Sequence, residues 1–174
     1  MTAATHVVVA LASISLYESY FGGSASLLSL PVIVLGSLAP DIDNSGAIVR
    51  WRRWIKPFVG NLLADAIERA LLGVSEVVRS IFGHRGFLHT PVFCSLLFAA
   101  GSVTGWEWVT HFAWGYATHL AADMCTVAGI PLLGPFRRER VSLLPIRTGS
   151  AGELLAVCTV LALLAIRSFG SVLL

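Results

Sequence analysis

Five long apolar stretches, separated by short polar segments, constrain the fold of this chain more than any other feature. They cover roughly residues 6–21, 26–40, 91–103, 106–127 and 151–164, and the last can extend to residue 174. Charged residues make up only 13% of the chain, about half of the roughly 25% typical of soluble domains. Because so few charges cannot coat a water-soluble globule of this size, the sequence excludes a disordered chain and favours a bilayer as solvent.

The stretches predict an all-α fold, a polytopic membrane helix bundle of about four to five transmembrane helices plus one amphipathic helix. A single membrane-embedded domain over residues 1–174 accounts for the whole length. Several stretches fall short of the ~20 residues that span a bilayer, so polar residues at their ends are expected to lengthen the helices. We expect residues 129–150 to form a loop with a short hairpin.

The amphipathic helix is predicted at residues 62–82, where apolar side chains recur every three or four positions. It can lie on the membrane surface or cap the bundle. Just before it, Trp51 and Trp54 alternate with three arginines, a pattern that favours contact with lipid headgroups over nucleic acid. The net charge of +2 is also too small to suggest a nucleic-acid partner.

The basic residues are strongly one-sided. Eleven of the 12 lysines and arginines lie in residues 41–86 and 129–150, which the positive-inside rule places in the cytoplasm. The prediction is a multi-pass protein of the cytoplasmic membrane with its N-terminus in the cytoplasm. The first residues carry no Lys or Arg, so no cleavable signal peptide is expected. The oligomeric state stays open.

With this topology, every apolar stretch brings nitrogen or oxygen donors to the same membrane face. Ionisable groups there are costly and usually functional. The donors are His6, Asp41, Asp43, His84, His89, His119, Asp123 and Glu153.

The spacing of these donors fits a metal site. His119 and Asp123 are four residues apart and share one helical face. Thr90 and Pro91 suit the N-cap and first position of a helix, which places His89 just before it. Mixed imidazole and carboxylate donors favour zinc, with manganese or iron as alternatives. Two ions would use all the donors, as would one ion whose ligands are hydrogen-bonded to further carboxylates. The predicted metal ligands are His6, Asp43, His84, His89, His119 and Asp123.

Three residues are predicted to carry catalysis. Asp41 or Asp43 can serve as a ligand or general base, and Arg85 can neutralise developing negative charge. Arg137 and Arg138 are candidates to hold an anionic headgroup.

Each element of the site also has a structural explanation. The two aspartates can cap a helix or hold Arg85, the loop histidines can be surface residues, and His119 with Asp123 can be a hydrogen-bonded pair. His111 lies toward the other membrane face and is interpreted as structural. The three cysteines form no Cys-x-x-Cys motif, so we expect buried reduced thiols and not a thiolate zinc site.

Together the motifs resemble those of the YdjM-type membrane-bound metal-dependent hydrolases, some of which are under LexA control. The resemblance covers residues 6 to about 153 and rests on Pro40-Asp41-x-Asp43, His84-Arg85-Gly86-x-x-His89-Thr90 and Gly115-Tyr116-x-x-His119-x-x-x-Asp123-x-x-Thr126-x-x-Gly129. It implies a small helical membrane protein with a metal site. The His-x-x-x-Asp element is also similar to zinc-dependent phospholipases C. The Lys-x6-Arg-Pro and Pro-Ser-Gly-His motifs of phosphatidic-acid phosphatases are absent, which excludes a histidine-nucleophile phosphatase.

Two functions from different classes follow from these residues. The first is a metal-dependent hydrolase at the cytoplasmic membrane face, acting on a lipid-linked or phosphoester substrate, with membrane lipids as its surroundings. The second is a non-catalytic membrane protein with a structural metal site that serves assembly or partner binding. A transporter ranks third because its ionisable groups should lie near the midplane of the membrane.

Overall fold

The computed structural model describes residues 1–22, 26–82, 86–134, 136–137 and 139–170, and these confirm the predicted all-α class. Two 3-10 segments, Ala39–Asp43 and Phe87–His89, join helices near the centre of the fold. The helices are α1 (Ala3–Ala12), α2 (Ile14–Phe21), α3 (Ser29–Leu38), α4 (Ser45–Phe82), α5 (Pro91–Thr104), α6 (Glu107–Met124) and α7 (Ala151–Gly170). Within the described ranges, no single helix has both the length and the apolar content that crossing a bilayer requires.

The first apolar stretch forms two helices, not one. Helix α1 ends at Ala12 and α2 begins at Ile14. Between them, the Ser13 hydroxyl donates to the Ala10 carbonyl at 2.8 Å and accepts from the Trp114 indole at 2.9 Å. A serine hydroxyl that bonds to its own backbone competes with the helical pattern. The prediction of one continuous element over residues 6–21 is therefore wrong at this residue.

Helices α3 and α6 form the centre of the bundle and touch backbone to backbone. A Cβ atom built on Gly115 would lie 2.0 Å from the Ile33 carbonyl oxygen, and one built on Gly36 would lie 2.1 Å from the Phe112 oxygen. Only glycine permits this approach, and small residues at helix contacts are typical of membrane bundles. The close packing places the segment after α3 directly beside the second half of α6.

Helix α4 is a helical hairpin, because the chain reverses at Gly60. The Arg52 Nε donates to Asp65 Oδ1 at 2.6 Å. Thirteen residues of continuous helix would instead separate the Cα atoms of Arg52 and Asp65 by about 20 Å. Gly60 has φ 76° and ψ 172°, a conformation that favours glycine. The predicted amphipathic helix at 62–82 is confirmed as the second arm. The first arm, residues 45–59, was not predicted as a helix.

The long loop before α7 is held in place by short backbone pairings. Thr126 pairs with Ile146 and Ile130 pairs with Val141 as isolated bridges. The Ile130 and Val141 backbones exchange hydrogen bonds of 3.1 and 2.9 Å, as in a short hairpin. The predicted loop with a hairpin is thus confirmed for the described part of residues 129–150.

All three cysteines are free, as predicted, but they differ in burial. Cys94 is buried and Cys125 is half-buried. Cys158 is exposed on α7, so the prediction of a buried thiol is wrong there. The apolar residues Leu154 and Leu155 of the same helix are also exposed, so the described residues leave this part of the α7 surface uncovered.

Candidate metal centre

Five of the predicted site residues converge inside the bundle from four separate elements. His6 comes from α1, Asp41 and His89 from the two 3-10 segments, and His119 and Asp123 from α6. Four of them are 0–1% exposed and Asp41 is 7% exposed. Two overlapping triads, His6/Asp41/His119 and His89/His119/Asp123, each offer donor atoms that lie within 4.8 Å of one another. His119 belongs to both triads and is the centre of the cluster.

The tautomer of His119 is fixed by a backbone carbonyl. Its Nδ1 lies 2.7 Å from the Ser37 oxygen. Because a carbonyl only accepts, Nδ1 must carry the hydrogen, and the Nε2 of a neutral ring then presents a lone pair. This Nε2 points toward Asp123 Oδ2 at 3.6 Å. With a neutral ring, two electron-rich atoms face each other in a buried site, an arrangement that a bound cation stabilises, and this orientation of a histidine by a carbonyl is typical of metal ligands.

The donor spacing fits a tetrahedral ion better than hydrogen bonds. Nitrogen and oxygen ligands of one zinc ion lie about 3.4 Å apart, given metal–ligand bonds of about 2.1 Å. His6 Nε2 lies 3.3 Å from Asp123 Oδ1, and His89 Nε2 lies 3.7 Å from Asp41 Oδ1. Among the described residues, His6 Nδ1 and Nε2, His89 Nδ1 and Nε2, and His119 Nε2 are buried with no hydrogen-bond partner. Buried polar atoms in native proteins are rarely left in this state.

His6 completes the cluster by stacking on His119. The two ring centroids are 3.7 Å apart and the ring planes differ by 11°. Two imidazolium cations would repel each other at this distance, so the stack favours neutral rings, the form that binds metals. The α-amino group of Met1 also lies against Asp123 Oδ1, so this oxygen already faces one positive charge.

Glu153 holds the start of α1 in place and does not join the two triads. Its carboxylate accepts from the Thr2 backbone N–H at 2.7 Å, the Thr5 hydroxyl at 2.5 Å and the Gly149 N–H at 2.6 Å. Sequence reasoning placed Glu153 among the donors at this face. The structure instead makes it the link between α7 and the helix that carries His6.

His89 is positioned by the capping that the sequence predicts. Thr90 accepts from the Phe93 N–H at 3.2 Å as the N-cap of α5, with Pro91 in the first turn. The Tyr116 hydroxyl donates to the Leu88 carbonyl and ties this segment to α6. These contacts aim the His89 ring at His119, with centroids 5.5 Å apart.

The pKa shifts of His89 and Asp41, which lie on the two 3-10 segments, favour the forms of these side chains that bind metal ions. Burial is the main influence on His89 and lowers its pKa below the ordinary 6.5, which favours the neutral ring. Burial acts to raise the pKa of Asp41, but the nearby imidazoles of His89, His119 and His6 outweigh it and bring that pKa to about 2. Asp41 is therefore ionised at neutral pH.

Of the remaining predicted site residues, Asp43 lies within the described part of the chain. Asp43 is buried at 1% exposure and lies close enough to influence His89 electrostatically, but it belongs to neither triad. His84 and Arg85 lie outside the described residues, as does Arg138. His111 is buried against Tyr17, with ring centroids 4.8 Å apart, in agreement with its structural interpretation.

The carbonyl of Ser37 is the functional group that sequence reasoning missed. Every residue supplies a carbonyl, so a backbone acceptor leaves no mark in a sequence. The indirect signal was Gly36 and Gly115, whose small size lets α3 approach α6 closely enough for the contact.

Comparison with known proteins shows the family to which this chain is similar. Residues 1–173 match the family described as YdjM inner membrane protein. The chain is 32% identical to the uncharacterized protein YvsG of Bacillus subtilis over 160 residues, which is 90% of this chain and 88% of YvsG. It is 32% identical to the inner membrane protein YdjM of Escherichia coli over 132 residues, 71% of this chain and 58% of that protein. No solved structure matches the chain.

Proposed function

This chain belongs to the YdjM family of inner membrane proteins, and from that premise we propose a membrane-bound, metal-dependent hydrolase. The observation that carries the proposal is the buried cluster in which imidazole nitrogens without hydrogen-bond partners face carboxylates at 3.3–3.7 Å. Such an arrangement is costly unless a cation joins the groups. Zinc fits the donor types, with manganese or iron as alternatives.

A multi-pass arrangement in the membrane is part of the proposal. It is supported by the family name and by large apolar side chains on the outer surface of the bundle, such as Leu35, Leu155 and Ile166, which are 61–69% exposed. Residues of this kind are stable against lipid tails and unfavourable in water. The one-sided distribution of arginines supports an orientation with the N-terminus and the proposed metal site at the cytoplasmic face.

Within the site we assign roles by position. His6, His89, His119 and Asp123 hold the ion, since each directs a donor into the cluster. Asp41 is the most exposed member of the cluster at 7%, so it serves as a ligand or as the base that accepts a proton from water. Arg85 remains a candidate to neutralise negative charge on the substrate.

When bound, a divalent ion lowers the pKa of a water ligand and polarises a substrate oxygen. The carbonyl of Ser37 keeps the His119 ring oriented, and the dense packing of α3 on α6 excludes bulk water from the His119 side. The proposed position at a membrane face and the arginines that the sequence places at that face favour a lipid-linked or phosphoester substrate.

A second function is favoured by the burial of the cluster. A non-catalytic metal site that serves assembly or partner binding needs no opening, and four of the five residues are 0–1% exposed. Structural zinc sites are closed by protein ligands, whereas catalytic sites keep one open position.

The test is hydrolysis by detergent-purified protein loaded with zinc, manganese or iron, on bis-p-nitrophenyl phosphate and on phosphatidic acid. We expect turnover by the wild type and a loss of about 100-fold in Asp41→Asn with its metal retained. His111→Ala, which changes a buried histidine of α6 outside the cluster, should keep its activity. A metal-loaded wild type that hydrolyses neither probe would refute the hydrolase and support the second function.

A further inference from the structure

We propose that the tip of the α4 hairpin docks on an anionic lipid surface. The tip comprises residues 50–63, where the first arm ends, the chain reverses at Gly60 and the second arm begins. The inference rests on the membrane location proposed above and is independent of any hydrolytic activity.

The tip carries apolar side chains that nothing in the described chain covers. Phe58 is 88% exposed and Leu62 is 83% exposed, and Trp54 and Leu63 are about half exposed. Exposed aromatic and aliphatic side chains at the end of a projecting element are unfavourable in water and suit the boundary between headgroups and acyl chains.

The same segment is basic and contains no acid. Arg50, Arg53 and Lys56 are exposed, and residues 45–64 include neither Asp nor Glu. The fourth cation, Arg52, is directed inward to Asp65 and Glu68 of the second arm. The exposed cations therefore lie on the outside of the tip, next to the apolar side chains. Each basic side chain near an anionic membrane surface strengthens attraction about fivefold.

This combination distinguishes the hairpin tip from helix α7. The described side chains of α7 expose leucines and an isoleucine with no Lys or Arg among them, as expected for contact with lipid tails. The tip joins both kinds of group in one place, which is the composition of an interfacial anchor. The partner that fits is a bilayer with anionic headgroups.

The base of the hairpin lies next to the candidate metal centre. Helix α4 begins at Ser45, directly after the 3-10 segment Ala39–Asp43 that carries Asp41, and packs chiefly against it. Docking of the tip would therefore restrict the motion of the segment that carries Asp41.

The test uses the full chain with its three cysteines replaced by serine and one new cysteine, Leu62→Cys, carrying a polarity-sensitive fluorophore. The protein is reconstituted into vesicles of phosphatidylcholine alone or of equal parts phosphatidylcholine and phosphatidylglycerol. We expect a blue-shifted label, protected from an aqueous quencher, in the anionic vesicles only. High salt should weaken the protection because it screens the attraction.

Charge variants give the matched control. Arg53→Glu with Lys56→Glu should expose the label in anionic vesicles, whereas Arg79→Glu with Arg140→Glu, an equal change of charge at exposed sites away from the tip, should not. A label exposed in both vesicles, protected equally in both, or sensitive to both pairs of variants would overturn the proposal. Protection that grows with protein concentration in detergent would assign the tip to a second copy instead. Failure of the protein to float with vesicles would overturn the membrane location itself.

Discussion

His119 is the residue through which the cluster is organised. It is a member of both donor triads, stacks on His6 and faces Asp123, while Ser37 fixes its tautomer. Its spacing from Asp123 was readable in the sequence, because residues four apart share a helical face. The convergence of His6 and Asp41 on it was predicted only as a shared membrane face, since the distances depend on helix packing.

Glu153 acts on the cluster indirectly by anchoring α1. In Glu153→Ala, the N–H groups of Thr2 and Gly149 and the Thr5 hydroxyl lose a charged acceptor. We expect a loss of about 2 to 3 kcal/mol in the free energy of unfolding and weaker metal binding. Denaturant unfolding and zinc titration measure both. Glu139→Ala, at an exposed loop position, is the control and should change neither. Normal stability and affinity in Glu153→Ala would contradict this role.

Acid should release the metal and destabilise the fold. His89 has a folded-state pKa below the ordinary 6.5, so the unfolded chain binds a proton at this residue more readily than the folded chain. Its contribution to stability is therefore complete above pH 6.5 and is lost as the pH falls below that value. Asp41, with a pKa of about 2, stays ionised throughout. Metal content and melting temperature measured from about pH 8 to about pH 5 test this. Full retention of metal and stability at the acid end would contradict it.

At the scale of elements, the contact of α3 with α6 sets the geometry of the site. Gly115→Ala places a methyl group where the Ile33 carbonyl lies 2.0 Å away. We expect a destabilisation of about 1 to 3 kcal/mol from the forced separation of the helices, together with weaker metal binding. The control is Gly73→Ala, where an added Cβ meets nothing within 4 Å. That change should be neutral or stabilise the protein by about 0.5 to 1 kcal/mol. The melting temperatures of the two variants test this prediction. Equal values would contradict the role of close packing at Gly115.

The sequence predicted the helical elements better than their breaks. The apolar stretches and the amphipathic period at 62–82 all correspond to helices. The break at Ser13 and the helix at 45–59 were missed, for two physical reasons. Ser13 interrupts the helix where its hydroxyl donates to the Ala10 carbonyl and also accepts from Trp114, a residue distant in sequence. The first arm of α4 lacks a clear apolar period and is paired through Arg52 with the second arm.

At the scale of the whole molecule, the cluster joins parts of the chain that are far apart. Its five residues come from α1, both 3-10 segments and α6, so a bound ion acts as a crosslink among them. A ligand present at about 100 times its dissociation constant stabilises the folded state by about 2.7 kcal/mol. Chelation should therefore lower the melting temperature by about 5 to 10 °C in a chain of this size. His119→Ala should show no such response, and an unchanged wild type would contradict a metal that links these elements.

The central claim is that the buried histidines and aspartates hold a divalent metal ion. The most direct measurement is the metal content of detergent-purified protein by elemental mass spectrometry, comparing the wild type with His119→Ala, Asp123→Ala and His111→Ala. We predict near-stoichiometric zinc, manganese or iron in the wild type and in His111→Ala, and its loss in the other two variants. A wild type that stays metal-free after reconstitution, or a His119→Ala protein that keeps its full complement, would contradict the claim.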